Sequence, residues 1–226
     1  MINKGKSILD KISYLCFQRK FGQADVLIES FFSENKKNPE YWNHIGNCYY
    51  HKRDYIKAEL FFTKSLDINK QYAPAWNNLG LISLQKKLNQ TAVEQFEKAL
   101  LYDSSLILPR YNLAQIFNNW GLGRKSLNVL KPIENQEKGN PYFESNLAYA
   151  YYLNKDYQKA VGIYDNVDEK YLKKEGWRVF YPLALIKAGR IKEAKSWIDS
   201  LTISSRNKDF FNYNRLKEKL KNGTKS

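Results

Sequence analysis

YWNHIGNCYYHKRDYIKAELFFTKSLDI (residues 41–68) and AWNNLGLISLQKKLNQTAVEQFEKALLY (residues 75–102) decide the fold, because one lies on the other at an offset of 34 residues. In the first, Trp42, Ile45, Gly46 and Tyr49 fall at i, i+3, i+4 and i+7, the apolar stripe of one helix. A polar turn of Lys52, Arg53 and Asp54 follows. Ala58, Phe61, Phe62, Ser65 and Leu66 then mark a second amphipathic helix. Stepping outward by the same period gives Gly46, Gly80, Ala114 and Ala148 in one column and Ala24, Ala58, Ala92, Ser126, Ala160 and Ala194 in another. A third column reads Ile28, Phe62, Phe96, Leu130, Tyr164 and Ile198. The register holds without insertion or deletion from Gly5 to about Lys208. Small residues recur where two helices must cross closely, and Pro39, Pro74, Pro109 and Pro141 open the first helix of four units, where a missing N–H costs nothing.

These columns resemble the tetratricopeptide repeat signature. The resemblance rests on Trp42-x2-Ile45-Gly46-x2-Tyr49 with Ala58 and Phe62, and on Trp76, Leu79 and Gly80 with Ala92, Phe96 and Ala99. Two departures stand out: the signature's closing proline is replaced by Lys70, Ser104 and Lys138, and Pro182 occupies a Gly/Ala position, where it should kink a helix. The resemblance implies an all-α, right-handed superhelical solenoid of about six helix-turn-helix repeats in a single domain. Their approximate bounds are 5–38, 39–72, 73–106, 107–140, 141–174 and 175–208. Phe210, Tyr213, Leu216 and Leu220 at helical spacing then predict a capping helix over 209–221, before a tail at 222–226. No hairpin can bury its stripe alone, so stacking supplies the core.

Composition narrows the class further. The 226 residues include 15% aromatics, too much apolar material for a disordered chain. No apolar run reaches the length of a membrane span, and charges interrupt any signal-peptide core near the start. With only Cys16 and Cys48, neither in a CxxC pair, a disulfide framework is excluded; that usage suits a reducing cytosol, and a cytoplasmic location is expected. The net charge is +14. Residues 173–226 carry 14 Lys+Arg against 5 Asp+Glu, so the excess is concentrated there. Lys192, Lys195, Arg215, Lys217, Lys219 and Lys221 form the candidate basic patch. It reads first as a solvated face; a nucleic-acid or phosphate-binding solenoid using this C-terminal third is the alternative function.

Catalytic chemistry has little to draw on. His44, Cys48 and His51 share a helix, but the two histidines lie about 10 Å apart, too far to share one ion. The Cys48 column is otherwise mostly apolar. No phosphate-binding loop occurs, and Gly121-Leu122-Gly123 reads as an inter-helix turn. No catalytic residue, metal or cofactor is therefore assigned, and the chain is read as non-enzymatic.

What the family resemblance implies instead is a scaffold or adaptor whose first helices line a concave groove for an extended peptide or partner segment. The groove positions are Asn43, Asn47, Tyr50, Asn77, Asn78, Tyr111, Asn112, Asn146 and Tyr149, mainly amide and aromatic. Asn78, Asn112 and Asn146 resemble the asparagine ladder with which some family members hold peptide backbone, since each amide both donates and accepts. The carboxylate clamp for chaperone tails is not matched: Asn47 and Asn78 fit, but Asn43, Leu108 and Asn112 stand where cations are required. The partner is a protein or peptide of unknown identity. Self-association through the open ends of the stack is a further possibility.

Overall fold

Each hairpin turns the same way for the same reason. Arg19, Arg53, Lys87, Gly121, Lys155 and Gly189, spaced 34 apart, all have positive φ. At every one of these turns the next residue's N–H bonds back across the turn: Lys20 to Leu15 O, Asp54 to Tyr49 O, Leu88 to Ser83 O, Leu122 to Phe117 O, Asp156 to Tyr151 O and Arg190 to Leu185 O. These are Schellman closures, in which a left-handed residue lets the chain reverse while the last helical carbonyls keep partners. Six copies of one turn, in step with the sequence period, set the architecture.

A computed structural model of the protein describes residues 8–173 and 177–201, together with 214, 217 and 218. The capping helix expected over 209–221 and the tail lie almost wholly outside the described residues. Those residues are all-α, with no strand. Their contacts divide the chain into two compact units, residues 1–112 and 113–226.

The first unit holds α1 (Ile8–Phe17), α2 (Phe21–Ser30), the single turn α3 (Phe32–Asn35), α4 (Pro39–His51), α5 (Tyr55–Ile68), α6 (Ala73–Gln85) and α7 (Asn89–Tyr102). α8 (Ile107–Asn119) starts in it. Asn38 and Asp54 cap α4 and α5 by accepting from the Glu40 and Lys57 N–H groups. Helices α4 and α5 cross where Gly46 meets the ring of Phe62, and α6 and α7 cross where Gly80 meets Phe96. Both phenylalanines are fully buried. A β-carbon on Gly80 would lie 2.5 Å from a Phe96 ring carbon, so glycine is required for the approach.

The tryptophan column has a purpose that survives substitution. The Trp42 and Trp76 indoles donate to the carbonyls of Lys36 and Lys70, at 2.9 and 2.8 Å, and Arg110 donates to Ser104 O at 2.8 Å. In each case an N–H ties the helix start to the residue six positions upstream. Glu144 makes a similar tie with reversed polarity, accepting from the N–H of Gly139, five positions upstream, at 3.0 Å.

The second unit contains α9 (Gly123–Leu130), α10 (Pro141–Leu153), α11 (Tyr157–Tyr164), the short α12 (Glu169–Leu172), α13 (Trp177–Lys187) and α14 (Ile191–Asp199). Its core gathers Ala148, Ala160, Val161, Tyr164, Leu172, Ala184 and Leu185. Pro182 sits buried inside α13, which continues through it. The proline deprives the Arg178 carbonyl of its helical donor; the Trp197 indole of α14 donates to that carbonyl at 3.3 Å.

The two cysteines correct the sequence reading. Cys16 of α1 and Cys48 of α4 form a disulfide, with Cα atoms 5.1 Å apart and both residues fully buried. Cys48 does lie in a packing column, but the pairing overturns the premise for a reducing compartment. The pair is separated by 32 residues, two short of the period. Facing sides of neighbouring first helices carry different columns, so a bridge between them cannot join equivalent positions.

Candidate functional site

Five asparagines of the first unit are joined by their side chains. Asn112 Nδ2 donates to Asn77 Oδ1 at 3.4 Å, and Asn77 Nδ2 to Asn78 Oδ1 at 3.1 Å. Asn78 Nδ2 in turn donates to both Asn43 Oδ1 (2.8 Å) and Asn47 Oδ1 (3.0 Å). This relay runs over α4, α6 and α8. Helical spacing explains it: Asn43 and Asn47 stand one turn apart on α4, and Asn78 reaches between them from the next first helix. Asn43 and Asn77 are only 4% and 5% exposed, so their polarity is tolerable only because the amides satisfy one another.

Beside the relay lies a cleft of about 380 Å³, lined by Asn43, Asn47, Asn77 and Asn78 together with Pro74 and the Ser105–Pro109 segment. No charged side chain lines it, although the protein carries +14. Leu108 stands at its rim, 64% exposed. The sequence had marked Leu108 only as a missing cation.

Other expected groove residues have different surroundings. Tyr50 is half-buried, with its ring 5.5 Å from Tyr55 and its hydroxyl accepting from Gln85 Nε2 at 3.4 Å. Tyr111 is half-buried. Asn146, in the second unit, is 4% exposed and spends Nδ2 on the Tyr142 carbonyl of its own helix, at 2.8 Å. Thus Asn78 and Asn112 share one network, while Asn146 donates within α10 and accepts at Oδ1 from Asn118 Nδ2 at 3.4 Å. Tyr149 packs on Phe180 (4.1 Å between ring centres) and Tyr152 (5.9 Å), and burial pushes the hydroxyl pKa values of Tyr149 and Tyr152 up. Phe180 occupies the ladder column of the sixth repeat, so this column changes from amide to aromatic along the sequence.

Of the expected basic patch, Lys192 and Lys195 are exposed on α14 and Lys217 is half-buried. The side chains of Arg215, Lys219 and Lys221 lie outside the described residues. Arg190 is ion-paired with Asp165 (2.6 Å) and Glu193, which hold its proton more tightly than usual. Among the described residues, no group of three His, Cys, Asp or Glu side chains is placed to hold a metal. His44 is hydrogen-bonded to Ser13, and His51 meets the Phe17 ring edge-on. No described helix is long and apolar enough to cross a membrane.

Repeated helical hairpins with a shared turn, a shared Gly–Phe crossing and a polar face on their first helices define an α-helical repeat protein. Two family models, each described as tetratricopeptide repeat, match residues 39–72 and 73–105. Residues 39–105 are therefore tetratricopeptide repeats, a class of helical repeat that serves as a scaffold for protein–protein contact. It is 31% identical over 105 residues to the uncharacterized protein ycf37 of Cyanophora paradoxa, covering 44% of this chain and 60% of that one. It is also 27% identical over 93 residues to a peroxisomal targeting signal receptor of Kluyveromyces lactis, covering 41% of this chain and 16% of the receptor. The chain therefore spans only part of these relatives. Among solved structures it resembles YrrB, described as having an unusual peptide-binding site, with a TM-score of 0.68 at 16% identity over 76% of this chain and 89% of that one. The type IV pilus biogenesis factor PilW aligns with a TM-score of 0.64 at 16% identity, over 96% and 99% of the two chains.

Proposed function

We propose that the protein is a non-enzymatic adaptor that holds an internal, uncharged stretch of a partner polypeptide against the Asn43–Asn78–Asn112 relay. The observation that carries this reading is the uncharged cleft lined by the amides and the Ser105–Pro109 segment. Amides offer donors and acceptors to peptide backbone irrespective of its sequence, and a leucine at the rim gives an apolar side chain something to cover. A chain terminus or an acidic side chain would find no cation there to offset its desolvation. Asn47, Asn78, Asn112 and Leu108 are the residues assigned to contact, with Asn43 and Asn77 holding the relay from beneath. Tyr50, Tyr111 and Tyr149 add aromatic area at neighbouring positions of their own units.

The amides' mutual bonding changes how the reading is tested. Removing Asn78 would strand the buried Asn43 oxygen and cost about 1–3 kcal/mol of stability, confounding any loss of binding. Leu108→Asp avoids this, because the side chain is exposed. Selection of a displayed library of random dodecapeptides on the protein should enrich sequences with an uncharged core. Leu108→Asp should weaken the enriched peptides at least tenfold at unchanged thermal stability. Enrichment of acidic or C-terminally anchored peptides, or peptides indifferent to Leu108→Asp, would refute the assignment.

A further inference from the structure

The second helix of the N-terminal hairpin buries less than those of the next two repeats. Where the second and third repeats set Gly46 and Gly80 against Phe62 and Phe96, the first has Ile12 opposite the column of Ile28. Ile28 is only partly buried, and α2 buries Ala24 alone, against four residues each in α5 and α7. This hairpin is held to α4 by an apolar core, with Leu9, Ile12, Leu15 and Ala24 against Tyr41, Trp42 and Ile45, and by a seam of specific contacts. Ser13 bonds His44, Phe17 meets His51, the Tyr41 hydroxyl donates to Ile28 O at 2.5 Å, and Lys52 pairs with Asp25 at 2.9 Å across a partly exposed edge. In the middle of that seam lies the Cys16–Cys48 bond.

We propose that this disulfide is a redox latch on the first repeat: α1 and α2 stay docked on α4 while the bond is closed and open far more often once it is reduced. The bond closes a span of 32 residues, and the chain-entropy cost of a loop that long corresponds to about 10²–10³-fold in the opening equilibrium. Without the bond, the apolar core of Leu9, Ile12 and Leu15 against Tyr41, Trp42 and Ile45 remains, together with one neutral hydrogen bond at each of two places, one edge contact and one surface ion pair, each individually weak. Opening requires a dithiol reductant. Its thiolate attacks one cysteine sulfur and the other leaves as thiolate; the second reductant thiol then displaces the first cysteine. The protein gains two electrons and two protons as two thiols, and the reductant becomes a disulfide. Both sulfurs are buried, so the attack proceeds through transient fraying of the hairpin. Once docked in an oxidising setting, the latch therefore stays closed. The consequence is for binding surface: the face of α4 that carries Tyr41, Ile45 and Cys48 is covered in the oxidised protein and available far more often in the reduced one.

The test compares the protein refolded in air, the protein refolded in a phosphine reductant, and the Cys16→Ala/Cys48→Ala variant, by thiol counting and hydrogen exchange. The air-refolded protein should have no free thiol. Amides of residues 8–30 should lose about 100-fold protection in the other two samples, while those of residues 39–102 keep theirs. Two free thiols after air refolding would overturn the latch. So would equal protection of residues 8–30 in all three samples, or a uniform loss along the chain, which would make the bond a global staple. The peptide selection above reads a different region, so its failure leaves this result standing.

Discussion

At the scale of single residues, the helical glycines Gly80 and Gly162 make opposite predictions from one substitution. Helix propensity alone favours Ala over Gly by about 1 kcal/mol at both. At Gly80 the new methyl would enter the fully buried Phe96 ring, and overpacking of that kind costs about 1–3 kcal/mol on top of lost crossing geometry. At Gly162, within α11, nothing lies within 4 Å of the added carbon. Gly80→Ala should therefore lower the urea midpoint and Gly162→Ala raise it; two shifts of the same sign would show that propensity, not packing, governs both sites. The glycine and phenylalanine columns were legible in the sequence because close approach demands small residues at a fixed period. The tryptophan column was not. Its requirement is an N–H aimed at an upstream carbonyl, which Arg110 meets without resembling Trp76.

At the scale of elements, the sequence located the helices and their polar turns but could not give the sign of φ. Four of the six turns place Arg19, Arg53, Lys87 or Lys155 in the left-handed region, where a β-carbon costs about 1 kcal/mol or somewhat more. Gly121 and Gly189 occupy the same place without that strain. Lys87 is exposed, and the turn's closure runs through backbone N–H groups. Lys87→Gly should thus stabilise the protein by about 0.5–1 kcal/mol in chemical denaturation, less than the full relief because glycine also loosens the unfolded chain. A destabilised variant would mean that the lysine side chain contributes more than its backbone costs. The disulfide escaped the sequence for another elementary reason. Columns were compared at an offset of 34, and partners on facing sides of adjacent helices meet at 32. The kink expected at Pro182 rests on a lost hydrogen bond; the indole of Trp197, which arrives from a later helix, gives the Arg178 carbonyl another donor.

At the scale of the molecule, buried phenols give the two units different tolerance of alkali. Tyr164 is fully buried, and burial, followed by the charges Tyr149 and Tyr152 would carry if ionised, raises its pKa well above 10. Burial also raises Tyr181, helped by its hydrogen bond to Asp165 and that carboxylate's charge, and burial raises Tyr142, Tyr149, Tyr152 and Tyr171. In the first unit the raised groups are Tyr41 and Tyr72, the latter pushed up to about 12 by burial and then by Glu40. A raised folded-state pKa means the native protein keeps a proton that the unfolded chain releases near pH 10. The contribution is fully present below that pH and is lost as pH rises toward the folded value. For a phenol kept wholly neutral the loss is about 1.4 kcal/mol per pH unit; half-exposed tyrosines lose less because solvent screens them. Hence the second unit should open first between pH 10 and 12, seen as tyrosinate absorbance rising together with loss of hydrogen-exchange protection in residues 141–198. Tyr164→Phe isolates the largest contribution. At pH 8 it should cost little, since the hydroxyl's bond to Ser145 O is 3.5 Å long. At pH 11 it should narrow the gap in stability from pH 8 by about 1 kcal/mol. Equal pH 8-to-11 losses in wild type and variant would place the alkaline sensitivity elsewhere than this buried phenol.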